Sequence, residues 1–212
     1  MKSCVILISG RGSNMQAILR ANVPMRTAAV LSNDAAAAGL RIARDAGVPS
    51  AAIEHREFSE RAAFDARLSA EIDRYQPDFV VLAGFMRILG PAFVQRYAGR
   101  LVNIHPSLLP AFPGLRTHRR ALDAGVRIHG CTVHFVTAEV DHGPIIVQAA
   151  VPVLPHDDES SLAARVLEQE HRIYPQALAW LARGEVELGV SGRVSFPHAR
   201  AAAPLIAPAL ES

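Results

Sequence analysis

Short apolar runs alternate with segments of helical spacing through the first half of the chain. The first run, at residues 3–9, ends in a glycine turn and is followed by Met15, Ile18 and Leu19 at helical spacing. The same pattern predicts further strands near 28–32, 50–53, 79–83 and 101–104, and helices over 35–46, 59–75 and 91–97. Ser59 is the expected cap of its helix. The alternation predicts a doubly wound α/β sheet with right-handed crossovers.

The second half changes character. Residues 131–136 and 145–153 are β-rich and are separated by the turn-forming sequence Asp-His-Gly-Pro at 141–144, so a hairpin or longer two-strand unit is expected. The sheet therefore becomes mixed at this end. A long amphipathic helix is predicted over 160–183, with Pro175 marking a kink or a break. From Pro197 onward the chain is rich in Ala and Pro and has no periodicity.

Length, composition and charge limit the classes of protein to which the chain can belong. The chain has 212 residues, half of them hydrophobic, which favours one globular unit. A formal charge of +2 gives no basic surface of the kind that binds nucleic acid. Cys4 and Cys131 lie in apolar runs without metal-ligand spacing, so we expect buried thiols in a reducing compartment. No apolar segment has the length needed to cross a membrane. We expect a cytoplasmic protein.

A candidate phosphate site follows the first strand. In Ser-Gly-Arg-Gly-Ser-Asn at 9–14, the glycines allow close backbone approach, and the start of the following helix offers free N–H groups to an anion. The turn lacks the full Gly-x-Gly-x-x-Gly pattern and the Gly-Lys-Ser/Thr of a nucleoside triphosphatase loop. A tight turn that binds nothing is the alternative.

Three polar residues form a candidate catalytic set. Asn103 and His105 end an apolar strand and point to the same side, where an amide and an imidazole can stabilise a developing oxyanion. Asp141 can relay a proton or keep His105 charged. The alternatives are a turn-closing Asn, a structural His and a turn Asp. His134 shares a strand face with Thr132 and either contacts the site or is structural. No histidine spacing indicates a metal.

The ordered set of motifs closely resembles the phosphoribosylglycinamide formyltransferase family, the folate-dependent enzymes of purine synthesis. The resemblance runs from about Val5 to Leu181. It rests on Ile-Ser-Gly-Arg-Gly-Ser-Asn at 8–14, Leu-Ala-Gly-Phe-Met-Arg-Ile-Leu at 82–89, Asn-Ile-His-Pro-Ser-Leu-Leu-Pro at 103–110, Gly-Cys-Thr-Val-His-Phe-Val at 130–136 and Asp-His-Gly-Pro at 141–144.

The resemblance implies a Rossmann-like fold and transfer of a formyl group from 10-formyltetrahydrofolate to the amine of glycinamide ribonucleotide, without a metal. It implies that Asn103 and protonated His105 stabilise the oxyanion, that His105 is the general acid and that Asp141 assists proton transfer. The implied acceptor-binding residues are Gly12, Ser13, Asn14 and Glu170. The implied folate-binding residues are Arg61, Met86, Arg87, Ile88, Leu89 and Val140.

The resemblance further implies one domain over 1–212, with a phosphate-binding half at about 1–100, a folate and catalytic half at about 101–185 and a divergent tail at about 186–212. Small-molecule partners, no nucleic acid or membrane, and a monomer or homodimer are expected. The chain departs from the family pattern at Ala111, Ala138 and His142.

Other folate formyltransferases carry a similar Asn-x-His and Asp. The transfer-RNA enzyme normally has a further C-terminal domain and a basic surface, and the formyltetrahydrofolate hydrolase usually has an N-terminal regulatory domain. Sugar-nucleotide formyltransferases also share these motifs. A non-catalytic folate- or nucleotide-binding module is the alternative from another functional class.

Overall fold

A seven-stranded sheet forms the centre of the fold. The computed structural model describes residues 1–189, 192–196, 205 and 207. The sheet strands are β1 (Ser3–Ile8), β2 (Arg26–Ser32), β3 (Ser50–Ala52), β4 (Phe79–Leu82), β5 (Leu101–His105), β6 (Ile128–Phe135) and β7 (Ile145–Pro152). Their spatial order is β3-β2-β1-β4-β5-β6-β7. The strands β1 to β5 pair in parallel, whereas β6 is antiparallel to both β5 and β7.

Helices cover both faces of this sheet. They are α1 (Ser13–Arg20), α2 (Ala38–Asp45), α3 (Arg61–Asp73), α4 (Pro91–Arg96), α5 (Thr117–Asp123) and α6 (Glu159–Arg183), with a 3₁₀ turn at His55–Glu57. Buried side chains of α1, α2, α5 and α6 pack on one face of the sheet, and those of α3 and α4 pack on the other. None of the described helices is long and apolar enough to span a bilayer.

The central strand β1 shows why its sequence folds this way. All six of its residues are buried, and alternate side chains point to opposite faces of the sheet. Ile6 joins the core under α1 and α6, while Leu7 joins the core under α3 and α4. A continuous apolar run is therefore needed, as in parallel strands covered on both faces.

The long helix α6 is fixed to the middle of the sheet. The hydroxyl of fully buried Tyr174 lies 2.9 Å from the Leu82 carbonyl and 3.1 Å from the Val102 carbonyl. The helix begins at a capping box, in which the Asp158 carboxylate accepts from the Ser161 N–H at 2.8 Å. These contacts hold α6 beside the strand ends that carry the candidate catalytic residues.

The predicted fold class is confirmed, including the change to antiparallel pairing near the C-terminal half. One detail is wrong: helix α3 begins at Arg61, and its N-cap residue is Glu60 rather than the predicted Ser59. Of the kink or break predicted at Pro175, the break does not occur, since α6 runs from Glu159 to Arg183 with Pro175 buried inside it. Tertiary packing of the helix offsets the missing hydrogen bond.

The predicted tail lies partly outside the described residues. Its described part forms a short antiparallel hairpin of β8 (Glu187–Leu188) and β9 (Val194–Ser195). Phe196 follows the hairpin and its ring contacts Trp180 edge-on, with the ring centroids 5.2 Å apart. The predicted segment without periodicity, from Pro197 onward, falls outside the described residues except for 205 and 207.

Candidate active site

The candidate residues meet at one edge of the sheet. The strands β1, β4 and β5 are parallel neighbours that end at Ile8, Leu82 and His105. Each is followed directly by a segment that the sequence marks as functional. The strand order reverses at the β1–β4 boundary, and such a switch point opens a crevice at the carboxyl ends of the strands.

The turn after β1 is built by glycines in close contact. Gly12 caps α1 in a left-handed conformation with φ of 73°, and a Cβ there would lie 3.0 Å from the Cα of Gly39. The Gly39 N–H donates to the Gly10 carbonyl at 3.0 Å. Among the described residues, no side chain caps α1. Its first N–H groups therefore stay available to an anion.

The turn is joined to helix α6 through a buried polar pair. The Asn14 amide Nδ2 donates to Glu170 Oε2 at 2.6 Å, and each residue is only 7% exposed. Burial raises the pKa of Glu170, and the hydrogen bond from Asn14 opposes that rise. The structure thus brings together the two ends of the predicted acceptor site, which are 156 positions apart in the chain.

Asn103 is held by a histidine on the neighbouring strand. His134 lies directly opposite Asn103 in the β5–β6 register, and Asn103 Nδ2 is 3.2 Å from His134 Nε2. His134 Nδ1 faces the Phe135 carbonyl at 2.9 Å, so Nδ1 donates and Nε2 accepts. Burial lowers the pKa of His134, which favours this neutral form. The other N–H of Asn103 has no partner among the described residues, so it can bind a substrate oxygen.

His105 lies between two oxygen acceptors. Its Nε2 is 3.1 Å from the Phe112 carbonyl, and its Nδ1 is 3.4 Å from Asp141 Oδ2. Asp141 has φ of 58° and accepts a hydrogen bond from the Gly114 N–H at 2.8 Å. A ring protonated on both nitrogens satisfies both acceptors. The structure brings His105 and Asp141 together, as the sequence predicts.

Large apolar side chains border the site. Met86, Ile88 and Val140 are 74%, 59% and 50% exposed, whereas Leu89 is half-buried against the core under α3 and α4. Exposed side chains of this size near a polar crevice are the pattern expected for covering a flat apolar ligand. They belong to the segment after β4 and to the loop after β6, on either side of β5.

Two arginines lie beside the segment that follows β4. The Arg87 guanidinium is 5.1 Å from the Phe64 ring centroid, and its buried Nε has no hydrogen-bond partner in the described structure. Exposed Arg61 lines a groove between α3 and α4 together with Asp65. Burial raises the pKa of Asp65, while the Gly90 N–H and the two arginines oppose the rise. Both guanidinium groups therefore lie near enough to Asp65 to oppose the effect of its burial.

Metal ligands are not clustered in the described part of the chain, since no three His, Cys, Asp or Glu side chains are arranged there to hold an ion.

The sequence profile of the family described as Formyl transferase matches residues 2–178. The chain belongs to this family.

Two relatives are similar in sequence to this formyl transferase over most of its length. It is 54% identical over 188 residues to the phosphoribosylglycinamide formyltransferase of Escherichia coli K12, covering 87% of this chain and 89% of that protein. It is 48% identical over 195 residues to the bovine trifunctional purine biosynthetic protein adenosine-3, covering 90% of this chain but only 19% of that longer protein.

A solved structure shows the same fold. The crystal structure of glycinamide ribonucleotide transformylase 1 from Symbiobacterium toebii superposes with a TM-score of 0.89 at 48% identity. The superposition covers 92% of this chain and 94% of that chain. The fold of this formyl transferase therefore matches that of a relative along nearly its whole described length.

Sequence reasoning missed several residues that position the site. Buried Thr132 lies opposite His105 in the register, and its hydroxyl donates to the Ser107 carbonyl at 2.6 Å. It also accepts from the Leu109 N–H at 3.1 Å and from Gln148 Nε2 at 3.0 Å. The alternation of side chains along β6 places Thr132 on the same face as His134, and this is the sequence signal that could have identified it.

The positions where this formyl transferase departs from the family pattern lie in its two site loops. The Ala111 carbonyl accepts from the Ser107 hydroxyl at 2.6 Å, so this backbone contact does not depend on the side chain at 111. His142 Nδ1 donates to the Val140 carbonyl at 2.7 Å, and its Nε2 is 3.7 Å from Glu139 Oε1. Ala138 is exposed. The imidazole of His142 thus makes local contacts within its own loop.

Proposed function

We propose that this formyl transferase moves the formyl group of 10-formyltetrahydrofolate to the amine of 5-phosphoribosylglycinamide, giving formylglycinamide ribonucleotide and tetrahydrofolate in purine (IMP) biosynthesis. The observation that carries the proposal is that a glycine turn with free helix N–H groups and the Asn103, His105 and Asp141 cluster lie at one sheet edge. The 54% identity to the Escherichia coli enzyme of that activity supports it.

In the proposed reaction the acceptor amine attacks the formyl carbon, and the carbonyl oxygen gains negative charge. Asn103 can donate its free N–H to that oxygen, because its other N–H is taken by His134. His105 supplies a second donor. The 3.4 Å separation between His105 Nδ1 and Asp141 Oδ2 keeps the ring beside the carboxylate that we assign to stabilise its charged form.

The tetrahedral species then breaks down. The bond between the formyl carbon and N10 of the folate breaks, N10 gains a proton and the acceptor nitrogen loses one. We assign His105 as the general acid, and Asp141 as the carboxylate that keeps His105 charged and receives the amine proton directly or through water. Both oxygens of Asp141 face histidines, since Oδ1 lies 3.8 Å from His134 Nε2.

The two substrates occupy opposite parts of the crevice in this proposal. The backbone of Gly12, Ser13 and Asn14 binds the acceptor phosphate, and buried Glu170 accepts from its ribose hydroxyls or ammonium group. Met86, Ile88, Leu89 and Val140 cover the pterin. Arg61 and Arg87 pair with the glutamate end of the folate, and the unpartnered Nε of Arg87 gains a partner there.

We also propose that the chain is a single functional domain, a monomer or homodimer, that acts on small molecules in the cytoplasm and binds neither nucleic acid nor membrane. Cys4 and Cys131 are free and buried, and burial raises the pKa of each thiol to about 12. Such inert thiols suit a reducing compartment.

The deciding experiment mixes the purified chain with 10-formyltetrahydrofolate, with and without 5-phosphoribosylglycinamide, and follows tetrahydrofolate and formylated product together. We expect product only when acceptor is present, in equal amount to tetrahydrofolate. Formate released without acceptor would indicate a hydrolase. Absence of both products, with folate binding retained, would indicate a binding module.

A further inference from the structure

An arginine lies at the centre of the turn that follows β1. Arg11 stands between Gly10 and Gly12, it is exposed, and its guanidinium forms no ion pair or hydrogen bond with the described residues. Most exposed arginines simply face solvent. The surroundings of Arg11 distinguish it from such residues, because the free N–H groups at the start of α1 lie beside the buried amide of Asn14.

The backbone of the turn has free N–H donors, and its Gly10 carbonyl is already hydrogen-bonded. The first helical hydrogen bond runs from the Gln16 N–H to the Gly12 carbonyl at 2.8 Å, so the N–H groups ahead of Gln16 have no partner within the helix. The Gly10 carbonyl is bound by Gly39. The first turn of α1 carries no acidic side chain. Partial positive charge at the start of α1 therefore faces the crevice, and the acidic group beside it is the Glu170 carboxylate bound to Asn14.

An independent observation points to a ligand with hydroxyl donors at the same place. Asn14 is 7% exposed, and its Oδ1 is buried without a hydrogen-bond partner in the described structure. Its amide nitrogen is already bound to Glu170. A buried amide oxygen needs a donor, and ribose hydroxyls are donors. The turn and the buried Asn14 amide together fit a phosphorylated sugar.

We propose that Arg11 is a further acceptor-binding residue, whose guanidinium pairs with the phosphate held at the start of α1. This inference rests on the proposed function and deepens it, because it assigns part of the selectivity for a phosphorylated acceptor to one side chain. A phosphate monoester carries a charge of about −1.5 to −2 at neutral pH, more than the partial charge of a helix terminus balances. A guanidinium supplies a full charge and a planar pair of donors.

The test compares Arg11→Ala with Arg20→Ala, a matched control that removes an exposed arginine from the opposite end of the same helix. At saturating 10-formyltetrahydrofolate, R11A should raise the acceptor KM about five- to tenfold and leave kcat within about twofold. Arg11→Lys should restore part of the affinity, since the charge is kept and the fork is lost. R20A should leave both constants unchanged.

A second measurement separates this inference from the proposed function. Ribose 5-phosphate and ribose are titrated calorimetrically into wild type and R11A. Weaker binding of ribose 5-phosphate to R11A, with the binding of ribose unchanged, supports the role of Arg11 even if wild type makes no formylated product. Equal binding of ribose 5-phosphate to wild type and R11A, or an R11A acceptor KM within twofold of wild type, would overturn the inference.

Discussion

The carboxylate of Asp141 offers the sharpest test of the proposed catalytic centre. Asp141→Asn keeps the shape of the side chain and an oxygen for the Gly114 N–H, but it removes the charge that faces His105 at 3.4 Å. Two unit charges at that distance attract by about 5 kcal/mol at an effective dielectric constant of 20. If the transition state loses all of this attraction, the rate falls by a factor of about 10³ to 10⁴. The Asp141 side chain is only 9% exposed, so screening by solvent is limited.

The assay is steady-state formyl transfer with both substrates varied. We expect D141N to lose about 10³-fold in kcat with small changes in either KM, because the lost interaction forms with the charged ring of the reacting state. Asp123→Asn, which neutralises an exposed carboxylate paired with Arg119, is the matched control and should keep wild-type rates. A D141N variant that turns over within tenfold of wild type, with a normal melting temperature, would refute the reasoning.

Three further predictions concern residues around the site. His134→Leu should lower kcat about 10- to 100-fold, since Asn103 loses the partner that orients it, and His134→Gln should recover part of that loss; equal rates for all three proteins would contradict this. Ser9→Ala removes the hydroxyl that accepts from the Met86 N–H at 2.7 Å, and should raise the folate KM a few-fold with little change in kcat, which initial-rate kinetics checks. Burial, and then the neighbouring His118, lower the pKa of His129 to about 4. Below pH ~6.5 His129 therefore binds a proton in the unfolded chain but not in the folded chain. The free energy of unfolding falls toward pH 4 by up to about 1.4 kcal/mol per pH unit. Urea titrations of His129→Gln should show a shallower slope in that window, and an unchanged slope would count against it.

The sequence predicts those parts of the fold that depend on local pattern. Continuous apolar runs and the turns that bound them locate all seven strands of the sheet, and their alternation with helices predicts the doubly wound class but not the strand order. The short helix α5 was missed, because its N-cap Arg116 has a left-handed backbone without glycine and its buried face is only Thr117 and Ala121. The local sequence at Pro175 leaves a kink and a break open, and the helix continues there because its buried face packs against the sheet.

The candidate site is likewise predictable from the sequence only where local pattern sets it. Asn103 and His105 are predictable as a pair because strand alternation sets their common side. Their partners are not, because pairing of β5 with β6 sets which residue of β6 faces each of them. A one-residue shift in that register would turn His134 away from Asn103 and toward the other face of the sheet. The antiparallel strand therefore contributes the geometry of the site even though the proposed catalytic residues lie on its neighbour and on a loop.

Backbone strain around His105 supports a functional interpretation of the two loops. Phe112, Arg116 and Asp141 are all non-glycine residues with φ between 53° and 58°, a region that disfavours side chains by roughly 1 kcal/mol each. Phe112 presents the carbonyl that holds His105, and Asp141 presents the carboxylate on the other side of the same ring. Glycine would relieve the strain at either position, but it would remove the carboxylate at 141 and loosen the loop at 112. The chain thus keeps strained residues where the orientation of one imidazole depends on them, and the hydrogen bond from the Gly114 N–H to Asp141 joins the two loops into one support.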